Sequence, residues 1–268
     1  MKFGALIPIR LASERLPGKA LKPICGRPVV HHLLDRVTAS RLIAAPQDVV
    51  VCTTKADSDD PLVVAVEDYG CAVFRGSTDD IIKRFHGAIN HFGFDAVAQI
   101  DGDDPLAPTE YIDLTLQALL DDAGLDIVST VGLPLGCNVK SFTRAAMEKV
   151  YAAYATTRND TGFAYFFTKS GLCEHKPIGP TSATHIHDGA RLTLDYEEDF
   201  VLFERIFEAL YRDEEVFGLD ETVAFLNCSP ETVAINQSLN EEYWARTAEK
   251  VALTYRDPDG TVREILQQ

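Results

Sequence analysis

The sequence predicts an α/β fold built on a doubly wound, mostly parallel sheet. Three observations carry that expectation. Apolar runs alternate with helix-periodic segments over the first 130 residues, the rhythm of β-α-β units. The unusual residues follow those runs directly, at Arg10, Thr53, Arg75 and 101–104, and open α/β sheets bind ligands beyond the carboxyl ends of their strands. Composition is ordinary for a globular chain, 46% hydrophobic and 25% charged over 268 residues, enough for one large domain.

The elements follow in order. Residues 2–9 form a continuous apolar run, as expected of a strand buried on both faces. A basic, turn-rich loop comes next. A helix spans about 28–40, with Pro28 at its start and Val30, Leu33, Leu34 and Val37 as its apolar stripe. A strand at 48–53 leads to a helix capped by Ser58 or Asp59 and ended by Gly70. A strand at 71–74, the turn Arg75-Gly76-Ser77 and a helix at about 79–91 follow. Then come a strand at 96–100, the acidic turn 101–105, a helix at about 109–121 and a strand at 126–131. From about 132 to 190 the alternation breaks, apart from a helix at 143–154. This segment reads as an inserted subdomain beside the sheet, its aromatic knot at 163–167 lining the substrate pocket or a dimer contact. A strand at 191–194 opens a helix at about 198–211. Covering helices are expected at 219–226 and 239–253.

Net charge is −16, which argues against nucleic-acid or membrane-surface partners because both need basic patches. The six cysteines form no CxxC and no zinc-type spacing, so they read as reduced. The N-terminal apolar run is too short for a signal peptide and no stretch approaches a membrane span. A cytoplasmic location is the expectation.

Against that acidic background Arg10, Arg15, Lys19 and Lys22 crowd into thirteen residues, with Ser13 and Gly18 between them. Such a loop suits a triphosphate: cations pair with phosphate oxygens and glycine admits close backbone N–H groups. It is neither GxxxxGK[ST] nor GxGxxG. Asp103 and Asp195 each follow an apolar run, and two converging carboxylates suit Mg2+ completed by water and phosphate. Arg75, Ser77 and Thr53 are placed to hold a base or sugar hydroxyl. His185, His187 and Asp188 form a polar group read as substrate contact or loop structure rather than a transition-metal site.

IPIRLASERLPGKALKPICGRPVV at 7–30, with LPGK at 16–19, resembles the N-terminal signature of the nucleotide-sugar cytidylyltransferases. These are the 3-deoxy-manno-octulosonate, acylneuraminate and spore-coat-polysaccharide types. FRGSTDDIIKRF at 74–85, IDGDDPL at 100–106 and RLTLDYEEDF at 191–200 follow in the family's order. The resemblance implies a Rossmann-like nucleotidyltransferase fold and CMP transfer from CTP with release of pyrophosphate. It implies Arg10, Ser13, Arg15 and Lys19 on the CTP phosphates, Asp103 and Asp195 on Mg2+, and a homodimer built through the insertion. Asp101 stands where the family has Gln or Thr, and Arg158-Asn159-Asp160 where the spore-coat type has Glu-Arg-Glu-His.

The expected nucleotide-binding set is therefore Ile9, Arg10, Ser13, Arg15, Lys19, Thr53, Arg75, Ser77 and Asp101, with Arg10, Arg15 and Lys19 also catalytic. Lys140, Arg158, His185 and His187 are expected to meet the acceptor, a 2-keto sugar acid or a related sugar or phosphonate. Use of another NTP is an alternative. A GT-A-like glycosyltransferase is another, since Asp101-Gly102-Asp103 has the DxD form; so is a non-catalytic nucleotide-binding module.

Overall fold

The computed structural model describes residues 1–156, 158–213, 215–250, 253–257 and 259–265, with the backbone alone at 247–250. Among the described residues a seven-stranded sheet forms the frame. Strand β1 (Phe3–Pro8) lies inside it, third from one edge. The hairpin β2 (Pro23–Ile24) and β3 (Arg27–Pro28) stands apart and leads into α1 (Val29–Thr38). Then come β4 (Val49–Thr54), α2 (Asp60–Tyr69), β5 (Ala72–Gly76), α3 (Ile81–Phe92), β6 (Ala96–Gln99) and α4 (Thr109–Asp121). The predicted alternation holds through this half. Strand β5 runs two residues past its expected end, so Arg75 lies within the strand.

The second half departs from expectation. Strands β7 (Ile127–Thr130), β8 (Lys140–Thr143) and β9 (His175–Ile178) all join the main sheet, giving the order β5-β4-β1-β6-β8-β7-β9. Strand β8 runs antiparallel to both neighbours, and the other pairings are parallel. The segment 132–190 therefore does not sit beside the sheet. It threads β8 between β6 and β7 and adds β9 at the edge.

Strand alternation supplies two cores. Ala5, Ile7, Val49, Val51, Ala96 and Ala98 face α1, α2 and α4, while Leu6, Val50, Cys52 and Val97 face α3 and α5 (Arg144–Ala153). Successive side chains point to opposite faces, so strands apolar at every position bury both. The aromatic knot belongs to the second core. Phe163, Phe166 and Phe167 are buried against Phe85, Phe142 and Met147, with Phe166 and Phe167 at the short helix α6 (Tyr165–Thr168). The phenylalanines are thus core rather than exposed interface, each contributing about 1.5–3 kcal/mol by leaving water.

Residues 191–194 are not a sheet strand. They form an isolated bridge, Leu135 to Arg191, and run extended into α7 (Glu197–Leu210). Helices α8 (Leu219–Cys228), α9 (Pro230–Val233) and α10 (Leu239–Lys250) cover this side. The last expected helix overshoots: 251 and 252 lie outside the described residues, and Leu253 opens the hairpin β10 (Leu253–Arg256) and β11 (Val262–Ile265). No helix among the described residues is long and apolar enough to cross a membrane.

Candidate active site

The basic loop, the acidic turn and the segment before α7 meet at one atom, the Lys19 ammonium. Gly18 adopts φ 68°, a left-handed conformation that favours glycine, and the loop closes as Ser13 and Gly18 N–H groups both donate to Leu11 O at 2.8 and 3.2 Å. Lys19 Nζ then donates to Asp103 Oδ2 at 3.1 Å, Asp195 Oδ1 at 2.9 Å and Leu194 O at 2.6 Å. Arg15 Nη2 reaches the same Asp195 oxygen at 2.5 Å, and its guanidinium lies 5.0 Å from the Tyr196 ring. The backbone fixes the meeting point as well, since Leu194 N–H donates to Asp103 O at 2.7 Å. Gly102 must lack a side chain, because a Cβ there would meet Pro8 O at 2.6 Å.

The two carboxylates titrate in opposite directions. Burial pushes Asp195 up, but the charges of Lys19 and Arg15 and their hydrogen bonds hold it below the usual carboxylate value. Burial also pushes Asp103 up; Lys19 opposes this, and repulsion from Asp195 and Asp101 leaves it raised. Asp104 rises further, through burial and then the charges of Asp103 and Asp101. Burial pulls Lys19 down, yet Asp103 and Asp195 more than restore it, so it stays charged. Lys19 and Arg15 thus rest on carboxylates, and the acidic turn formally holds more negative charge than its cations balance.

That imbalance is the test for a divalent ion. Asp103 and Asp195 present hard oxygen donors to a shared point, and Asp103 gains from any added positive charge. No group of three or more His, Cys, Asp or Glu is set to hold a metal among the described residues. Mg2+ needs no such cage, since one or two carboxylates with water and phosphate suffice. The donor set fits. Asp101 does not share that point: Lys140 Nζ and Gln99 Nε2 engage it at 3.2 and 2.9 Å. The formal DxD pair is therefore divided between two cations.

Other expected residues are placed as follows. Ile9 is buried beneath Gly102, and the Ser13 hydroxyl accepts from Leu16 N–H at 3.3 Å. Arg10 is exposed and paired with Asp160 at 2.9 Å. Asn159 anchors this contact: its side chain is buried, accepts from Ile81 N–H at 2.7 Å at the start of α3 and donates to Asp80 at 2.9 Å. Arg158 is exposed beside it. Arg75 spends its guanidinium on Thr54 O, Ala56 O and Asp60, and Ser77 O accepts from Arg84. His185 Nδ1 lies 2.8 Å from the Tyr111 hydroxyl, and His187 Nδ1 accepts from Gly189 N–H at 3.2 Å. Both histidines thus have structural partners, and neither joins the Lys19 cluster.

Thr53 differs from expectation. It is fully buried and donates to Asp59 Oδ2 at 2.9 Å. Asp59, expected as a helix cap, makes no cap bond. It accepts instead from Leu11 N–H at 2.8 Å and Thr54 Oγ1 at 2.5 Å, tying the basic loop to the end of β4. The partner Leu11 lies 48 positions away, a distance no local pattern reveals. Burial raises the Asp59 pKa, and the bonds from Thr54, Leu11 and Thr53 bring it below 3.8. A depressed carboxylate stabilises above its unfolded value and loses that contribution as pH falls through its folded value. Asp59→Asn is therefore expected to cost about 1–3 kcal/mol at neutral pH. In denaturant titrations the gap to wild type closes below about pH 4.

With this geometry in place the chain can be compared with known proteins. A profile of the family described as cytidylyltransferase matches residues 5–214. The chain belongs to the cytidylyltransferase family. It is thus a CTP-using nucleotidyltransferase. The cytidylyltransferase is 28% identical over 252 residues to an uncharacterized protein of Methanocaldococcus jannaschii, covering 93% of this chain and 100% of the relative. It is 32% identical over 178 residues to the 3-deoxy-manno-octulosonate cytidylyltransferase of Yersinia pseudotuberculosis, spanning 64% of each protein. A cytidylyltransferase structure from Leptospira borgpetersenii superposes with a TM-score of 0.75 at 24% identity, over 87% of this chain and 97% of that one. CMP:2-keto-3-deoxy-manno-octonic acid synthetase in complex with CTP superposes with a TM-score of 0.60 at 15% identity, over 78% and 99%. Both likenesses bear on the fold.

Proposed function

We propose that the enzyme transfers CMP from CTP to a sugar acid of the 2-keto type, or a related acceptor, with Mg2+ bound and pyrophosphate released. The observation that supports this best is the Lys19 ammonium held between Asp103 and Asp195. A basic phosphate loop and two carboxylates converge there from three parts of the chain. In this reading Arg10, Arg15 and Lys19 take the phosphates of CTP. Lys19 and Arg15 move from carboxylate to phosphate oxygens, exchanging one anionic partner for another. Asp103 and Asp195 would hold Mg2+, which offsets negative charge developing at the transferred phosphorus. The acceptor hydroxyl attacks the α-phosphorus in line with the departing pyrophosphate, and the loop supplies positioning and charge stabilisation. The two most buried cysteines are not nucleophiles for this chemistry. Cys52 and Cys137 are buried and their thiols pushed up by burial, Cys52 to about 12, far from a reactive thiolate.

A sugar acid is supported by the Yersinia relative, a 3-deoxy-manno-octulosonate cytidylyltransferase. Lys140 and Arg158 are the cations proposed to meet its carboxylate. A homodimer is part of the same proposal, and light scattering tests it. The reaction is tested by incubating the protein with CTP, Mg2+ and a panel of 2-keto sugar acids and measuring pyrophosphate. Release with at least one acceptor is the expected result, and no release across the panel contradicts it. Base preference has a separate test. CTP at about a hundredfold over its Kd adds about 2.7 kcal/mol and should raise the melting temperature by several degrees. A larger shift with GTP contradicts the cytidine assignment.

A further inference from the structure

Behind Asp195 lies a buried ion pair that the proposed chemistry does not use. Arg191 and Asp199 are both 0% exposed. Arg191 Nε and Nη2 engage the two Asp199 oxygens at 2.9 and 3.1 Å. Asp199 Oδ2 also accepts from the N–H groups of Asp195 at 2.8 Å and Tyr196 at 2.9 Å. The oxygen that grips the guanidinium therefore also grips the peptide carrying Asp195. Arg191 Nη2 lies 3.8 Å from Asp195 Oδ2, on the opposite carboxylate oxygen from the one facing Lys19 and Arg15. Asn236 completes the unit by donating to Asp199 Oδ1 at 2.8 Å and Arg191 O at 2.9 Å. The Tyr243 ring covers the guanidinium at 4.6 Å.

A buried ion pair is a poor stability device. Well-packed apolar residues of similar volume often do as well or better, because desolvating two charges offsets their attraction. The placement here points to geometry instead. Among the described residues, 191–194 join no strand ladder and are held by the bridge to Leu135 and the bond to Asp103 O, yet Asp195 must keep one oxygen turned toward the phosphate loop. Asp199 fixes the Asp195 backbone, and Arg191 fixes Asp199.

We infer that Arg191 is a positioning residue for the transfer reaction, acting with Asp199 and Asn236 to aim the Asp195 carboxylate into the phosphate site. This rests on the proposed CTP chemistry at that site. The fork geometry of guanidinium is the feature required, since an ammonium cannot bridge Asp199 bidentately while facing Asp195.

Arg191→Lys and the milder Asn236→Ser are the tests. CTP binding by calorimetry counts folded sites in each preparation, and pyrophosphate release is divided by that count. Arg191→Lys is expected to lower turnover per CTP site about 10- to 100-fold, the usual cost of removing a partner behind a ligating group. KM for CTP should stay within about threefold, because the loop cations remain. Asn236→Ser should shift the same quantity in the same direction by less. A residue that only supports the fold would change the number of sites and leave turnover per site at the wild-type value, and that outcome overturns the inference. If Arg191→Lys does not fold, Asn236→Ser decides by the same measure. If wild type shows no turnover, the functional reading fails by itself. The inference then stands or falls on a crystal structure of the variant: Asp195 displaced from Lys19 supports it, and Asp195 unmoved contradicts it.

Discussion

Lys19→Ala should lower CTP-dependent pyrophosphate release by at least about 100-fold, the scale of losing one preorganised charge at a transition state. The side chain serves three partners on two separate segments: Asp103 on one, Leu194 O and Asp195 on the other. Removing it leaves the Leu194 carbonyl without that donor and two carboxylates in repulsion, which should also cost about 1–3 kcal/mol of folding stability. Asp103→Ala should reduce turnover similarly while relieving part of that repulsion, because Asp103 is a raised carboxylate crowded by its neighbours. The double variant should be little slower than either single one, since groups acting as a unit are strongly non-additive. Steady-state rates on folded protein check this. Wild-type turnover in either single variant would show that the roles are misassigned.

The second large effect is expected at a residue remote from the chemistry. Gly136 has φ +94°, and a Cβ there would lie 2.1 Å from Leu192 O and 2.7 Å from Thr193 N. Both obstacles are backbone, so no side chain can swing away. Gly136→Ala must bend the segment that carries Asp195 or distort the loop before β8. The combined strain and overpacking should cost about 3 kcal/mol, read from denaturant unfolding. Turnover per folded site should fall as well, because Leu194 N–H is the link to Asp103 O. Unfolding at the wild-type midpoint would show that this close approach is not required.

These two sites differ in how far the sequence revealed them. Arg15 and Lys19 were legible as cations crowded into a turn-rich loop of an acidic chain, and Asp103 because it follows a strand, whose ends in an α/β sheet collect at one edge; Asp195 was found through an apolar run that proved not to be a sheet strand. The helices α1 to α5 were legible from periodicity and end signals, as with Gly70 ending α2. Strand β8 was not, since KSFT is short and carries no apolar run; pairing with β6 and β7 makes it a strand. The run 191–194 misled in the opposite sense. Leu192 and Leu194 are fully buried, but their N–H groups bond to loop carbonyls at Leu135 and Asp103 rather than to a ladder. Burial makes an apolar pattern whether or not a strand results. The aromatic knot showed hydrophobicity without direction, and the residues flanking α3 and α5 decide that its phenylalanines point inward. Asp59 reaches Leu11 only through the fold, and RLTLDYEEDF contains Arg191 and Asp199 without showing that they pair behind Asp195.

The central claim is that the loop at 10–19 holds the triphosphate of CTP against Asp103 and Asp195. The most direct test is a crystal structure with CTP and Mg2+. The account predicts the phosphates on Arg10, Arg15 and Lys19, with Asp103 and Asp195 facing the α-phosphate and the cytidine running toward the end of β5. Phosphates bound elsewhere, with Lys19 still resting on both carboxylates, would contradict it.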